Sequence, residues 1–122
     1  MIQGKVVWPI RIAAAAEADI RDIVLWTIAQ FGPAQARIYL ETLTTAMATL
    51  AAGPKALGVQ VRDDIGQGLM TLHVARLGRK GRHFIIFRVG DDGSQSVIDV
   101  LRILHDSMDL PRHLPLDEDE MK

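Results

Sequence analysis

Apolar positions recur every three or four residues in the first half of the chain and every two residues in much of the second. Ile20, Ile23, Val24, Thr27 and Phe31 form one stripe, which predicts a helix from about Ala14 to Phe31. Glu17, Asp19 and Asp22 fall in its first half, where the helix dipole favours negative charge. Gly32-Pro33 makes a tight break, and a second stripe follows: Ala36, Leu40, Leu43, Met47 and Leu50. That helix should run to about Ala52, where Gly53-Pro54 stops it. Two apolar stripes joined by so short a turn predict an αα-hairpin facing one core.

The period then changes. In "LMTLHVARL" (69–77), Met70, Leu72 and Val74 alternate with more polar residues. "RHFIIFRV" (82–89) is nearly all apolar, as a central strand requires, and "SVIDVLRIL" (96–104) repeats the signal. "GRKG" (78–81) and "GDDG" (90–93) supply the turns between them. The three strands predict an antiparallel meander. Ahead of the helices, "KVVWPIRI" (5–12) reads as a short strand, edge-placed or ended by Pro9, which cannot donate to a ladder. Residues 55–68 read as a loop. The expected class is α+β, in the order β-α-α-β-β-β, with the hairpin covering one face of a single sheet.

Composition narrows the function. At 122 residues and 48% hydrophobic, the chain fits one domain with one core, placed at residues 1–114. A formal net charge of -1 argues against a protein whose main partner is nucleic acid, and no sequence-specific contact to it is expected. The absence of cysteine excludes disulfides and thiolate metal sites. No window reads as a signal core or a membrane span, so a soluble cytoplasmic protein is expected. Residues 115–122, with Asp117, Glu118, Asp119 and Glu120 against Lys122, read as an acidic flexible tail.

Chemistry-bearing residues concentrate late in the chain. All four histidines (His73, His83, His105, His113) lie there, too dispersed for a metal site, and no cofactor is expected. Strict alternation along the last strand puts Ile98, Val100, Arg102 and Leu104 in one apolar row. Arg102 then needs a carboxylate partner, with Asp19 or Asp22 on the first helix as candidates; otherwise it serves a phosphate or a target. Adjacent His105 and Asp106 point to opposite sides of an extended chain, which disfavours a catalytic dyad. His105 is read as packed and hydrogen-bonded, Asp106 or Ser107 as the cap of a short turn. Met108, Leu110 and Leu114 are expected to close the core beneath it. Leu25, Trp26 and Ile28 fall off the main stripe of the first helix, so they either form a second contact surface or, for Trp26, pack beside Trp8.

Three segments carry a family resemblance: "AEADIRDIVLWTIAQFGPAQARIYLETLTTAMATLAAGP", "GLMTLHVARLGRKGRHFIIFRV" and "VLRILHDSMDLPRHL". Together, over about residues 6 to 114, they resemble the RelE/ParE superfamily of toxins from type II toxin–antitoxin systems, and the ParE branch most. The resemblance implies the same β-α-α-β-β-β fold and a cognate ParD-like antitoxin in a hetero-oligomer. It also implies inhibition of DNA gyrase by binding, with replication blocked and growth arrested. On this reading the protein is not an enzyme. Arg102, His105, Met108, Arg112 and His113 become candidate target contacts, because terminal segments carry toxicity in ParE-like proteins. Leu25, Trp26, Ile28 and Tyr39 become candidate antitoxin contacts. The alternatives are a RelE-like ribosome-dependent mRNA endonuclease, with His83, Arg88, Arg102 and His105 as its catalytic group, and a non-toxic module of the same fold. The only tyrosine, Tyr39, is expected to lie away from the sheet and C-terminal segment that form a RelE-like active site, which weighs against the endonuclease.

Overall fold

The structure, a computed structural model, describes residues 7–113. Its elements follow in the order β1 (Ile10–Ile12), α1 (Ala14–Phe31), α2 (Pro33–Thr49), β2 (Gln60–Val61), β3 (Met70–His73), β4 (His83–Asp91), β5 (Ser96–His105) and α3 (Leu110–His113), with a short 3-10 turn at Leu50–Ala52. The acidic tail and Leu114 lie outside the described residues.

The α+β class and the hairpin are as the periodicity predicts. Gly32, at φ 92°, ends α1 with its N–H on the Ile28 carbonyl, and Pro33 opens α2. Leu43, Ala46, Met47 and Leu50 bury one side of α2, and Ala16 anchors α1 to the same core. One position of each stripe lies outside the core: Phe31 and Leu40 are exposed.

The sheet has five strands rather than four, ordered β1-β5-β4-β3-β2. Part of the expected loop at 55–68 pairs antiparallel with β3 as the two-residue β2, too brief to leave a periodic signal. β1 is shorter than read. It begins after Pro9 and pairs in parallel with β5 along one edge, Ile10 opposite Ile98. β4 lies in the middle, so Ile85, Ile86 and Phe87 are all fully buried. Ile85 and Phe87 face the helices, while Ile86 packs with Ile65, Leu69, Leu104 and Leu110 on the opposite face.

One register event corrects the apolar row of the last strand. Ile86 lies opposite Arg102 and Phe87 opposite Val100, so Leu101 is an extra residue on β5. The bulge reverses the alternation. Val100 and Ile103 both belong to the helix-covered core, Leu104 packs on the other face, and Arg102 does not continue the Ile98–Val100 row. Arg102 turns to Asp19 on α1, through Nε to Oδ2 at 2.8 Å and Nη2 to Oδ1 at 3.0 Å. The Ile103 N–H donates to the same carboxylate at 2.9 Å. β1 ends opposite Val100, so beyond that point Asp19 serves the open edge of β5.

Candidate functional site

Where β3 ends, β4 begins and β5 ends, the chain gathers a polar cluster. Asp106 is its hub. It accepts from His73 Nε2 at 2.8 Å and from Arg82 Nε at 3.1 Å, with Arg82 Nη2 at 3.0 Å. Its backbone N–H donates to the Arg82 carbonyl at 2.8 Å. Asp106 therefore joins three strand ends and fixes where the C-terminal segment departs, instead of capping that segment. Arg82, then His73, holds its carboxyl down to about 2.

Tyr39 belongs to this cluster, against the expectation that α2 holds it away from the sheet. Its hydroxyl accepts the Arg82 N–H at 2.9 Å and meets His83 Nδ1 at 2.6 Å. The correction was legible in the sequence: Tyr39 is three residues after Ala36 and four before Leu43, on the buried stripe. His83 in turn lies edge-to-face against His105, centroids 5.2 Å apart.

The hydrogen bonds assign one tautomer to all three imidazoles. Ala75 N–H donates to His73 Nδ1 at 3.0 Å, so the His73 proton sits on Nε2 and points at Asp106. Ser107 N–H donates to His105 Nδ1 at 3.1 Å, which puts that proton on Nε2 as well. The Tyr39 oxygen takes the Arg82 N–H, and its 2.6 Å contact with His83 Nδ1 has the length of an O–H···N bond rather than an N–H···O bond. That makes Tyr39 the donor and puts the His83 proton on Nε2. His105 has no Nδ1 proton to offer Asp106, whose Oδ1 lies 3.7 Å away, and the two form no dyad.

Burial, with His105 adding to it, pushes His83 down to about 4 from 6.5. Between those values the unfolded chain takes up a proton that the folded chain refuses. The His83 contribution to stability is thus complete above pH 6.5. It falls as the pH drops toward 4, by about 2 kcal/mol at this partly exposed site. The Asp106 contribution behaves separately: present above the ordinary aspartate range, it is lost as the pH falls toward 2. His83→Gln should flatten the pH 6.5 to 4 segment of a urea-midpoint profile and leave the lower segment in place. An unchanged slope in that upper segment would show that His83 is not the group titrating there.

Beside the cluster lies a pocket of about 510 Å³ between α1, α2 and the strand ends. Ile23, Trp26, Thr27 and Phe31 make its apolar side, and Tyr39, Arg82, His83 and His105 its polar floor. Trp26 is 59% exposed and meets Phe31 edge-to-face at 5.9 Å, so it does not pack beside Trp8, which lies against Gly53.

The pocket divides the candidate residues. Trp26 and Tyr39 share it; Leu25 and Ile28 are exposed and do not line it. Of the four candidate nuclease residues, His83 and His105 meet. Arg88 lies five residues further along β4, roughly 16 Å from His83, and Arg102 is held by Asp19. Met108 is 39% exposed rather than core, because the turn after His105 lifts it away while Leu110 is buried in its place. Arg112 and His113 fall in α3, and their side chains lie outside the described residues. The "GRKG" turn is tethered to α2, where Arg79 Nε donates to Thr42 Oγ1 at 3.0 Å. Among the described residues, no group of three or more His, Asp or Glu is placed to hold a metal ion, and no helix is long and apolar enough to cross a membrane.

The family model for "ParE toxin of type II toxin-antitoxin system, parDE" matches residues 10–110. The chain belongs to the ParE toxin family. It is 34% identical over 103 residues to Toxin ParE1 of Mycobacterium tuberculosis, a match covering 84% of this chain and 94% of the relative. To Toxin ParE of Escherichia coli it is 33% identical over 103 residues, covering 84% and 89%. A solved structure described as a chromosomal ParDE TA system from P. aeruginosa shares the fold, with a TM-score of 0.64 at 21% identity over 81% of this chain and 96% of that one. The matched span of the ParE family includes every element from β1 to the start of α3, and with it the whole polar cluster.

Proposed function

We propose that this ParE-family chain is the toxin of a ParDE-type pair: a ParD-like antitoxin silences it by covering the helical hairpin, and when free it inhibits DNA gyrase by binding. The observation that carries the first half is the apolar surface left open on two adjacent helices. Leu25, Trp26 and Phe31 are 61, 59 and 66% exposed, and Ile38 on α2 is 51% exposed. So much uncovered apolar area on a chain of this size calls for a partner, and an amphipathic helix laid across a hairpin is the simplest one.

The second half rests on how the chemistry-bearing groups are used. A ribonuclease needs groups ready to move protons and cations ready for phosphate. Here His83 and His105 meet, but the two candidate phosphate cations stand elsewhere: Arg102 is tied to Asp19, and Arg88 lies roughly 16 Å along β4 from His83. That arrangement favours a surface that fits over one that cuts. The C-terminal segment, held in place by Asp106, is the candidate surface for the target, with His105, Met108, Arg112 and His113 as contacts. Arg102, engaged with Asp19, is assigned to the fold and not to the target.

Induced expression in a bacterium tests the reading. Growth arrest with a DNA-damage response is expected, relieved by co-expression of the antitoxin. Rapid loss of intact mRNA would replace this reading with the endonuclease, and undisturbed growth would replace it with the non-toxic module.

A further inference from the structure

We propose that the pocket between α1, α2 and the ends of β4 and β5 is the anchor site for one large apolar side chain of the antitoxin, with a carboxylate of the same segment held at the Arg82 end. The proposal rests on the reading of the hairpin as the antitoxin-binding face. Three observations select that occupant.

The first is continuity. Trp26 and Phe31 form both the pocket wall and part of the exposed hairpin surface, so a segment crossing the hairpin passes over the opening. The second is size. A volume of about 510 Å³ lies within the range of sites that enclose a ligand. It admits an aromatic or long aliphatic side chain with its flanking backbone.

The third is the polarity of the floor, which is made of donors. Tautomer assignment leaves His83 and His105 each with Nε2–H, and neither atom has a hydrogen-bond partner among the described residues. Nor is His83 Nε2 an occluded atom left unsatisfied, so it is open to whatever enters. Arg82 gives Nε and Nη2 to Asp106, which leaves Nη1 available on a side chain 70% exposed. Three donors at one end of an apolar cavity match an acceptor, and a carboxylate makes the strongest such bonds. Asp22 stands on the α1 rim and repels a carboxylate there. The bound segment therefore has a direction, with its acid at the strand ends.

Short peptides isolate the pocket from the rest of the interface. The probe is acetyl-Phe-Glu-Glu-amide, titrated into the full-length toxin while the imidazole and indole nitrogens are followed by NMR. Saturable shifts at His83, His105 and Trp26 are expected in the millimolar range. Acetyl-Phe-Gln-Gln-amide and acetyl-Ala-Glu-Glu-amide should each bind at least about fivefold more weakly. Gln35→Trp, which fills the pocket from an exposed position on α2, should abolish the shifts at an unchanged unfolding midpoint. His105→Phe, which removes one donor and keeps the ring, should narrow the preference of Glu over Gln. Absence of saturable shifts, equal binding of the three peptides, or binding that survives Gln35→Trp would each overturn the proposal. The underlying reading fails separately, if the full antitoxin binds Leu25→Asp/Ile28→Asp as tightly as the parent chain, since neither residue lines the pocket.

Discussion

Asp19→Asn is expected to lower the stability of the fold by about 3 kcal/mol, a fall of roughly 10–15 °C in unfolding midpoint for a domain of this size. Asp19 is only 14% exposed and receives three N–H groups, two from Arg102 and one from the Ile103 backbone. The amide keeps the shape but loses the charge, and it turns one acceptor into a donor facing a guanidinium. The loss belongs at the lower end of what a broken buried pair costs, because Arg102 is 27% exposed. A double change distinguishes the pair from simple packing. Asp19→Leu with Arg102→Met should recover part of the loss, because it removes both charges together. Urea or thermal unfolding of the four chains checks this, and an Asp19→Asn cost below about 1 kcal/mol would mean that Asp19 does not hold the β5 edge.

Leu25→Asp with Ile28→Asp should weaken antitoxin binding by about 100-fold or more while the free toxin still arrests growth. Both residues are exposed, so the fold tolerates the change. In the complex each aspartate would be buried against an apolar helix with no partner charge, which costs several kcal/mol. Affinity measured on the purified pair, with growth after induction in cells carrying both genes, reads the two effects separately. Neutralisation that persists with the double variant would move the antitoxin to another face.

Helices were the most legible part of the chain because their signal repeats over many residues. The Gly32-Pro33 break and the Ala36–Leu50 stripe fixed the hairpin almost residue for residue. β4 was legible because a strand buried on both faces reads as an unbroken apolar run. β2 was not, since two residues carry no period. The bulge at Leu101 was invisible for a different reason. It is defined by the partner strand, and β5 read alone gives no sign that the alternation reverses. Arg102 was nonetheless given its true partner, Asp19, as one of two candidates, because a charge among apolar residues demands a carboxylate. The polar cluster was half legible. His83 and His105 were singled out, but their meeting depends on strand register. Asp106 or Ser107 reads as a turn cap in the sequence, because the true partners of Asp106, His73 and Arg82, are 33 and 24 residues away.

This toxin is proposed to act by occupying its target and not by cleaving RNA. Incubating purified toxin with DNA gyrase, ATP and supercoiled plasmid, then denaturing with detergent and protease, tests it most directly. Accumulation of linear, gyrase-cleaved plasmid in proportion to toxin is the result expected, unchanged in His83→Gln at neutral pH. Intact plasmid alongside cleavage of mRNA on translating ribosomes, lost in His83→Gln or His105→Phe chains that still fold, would contradict it.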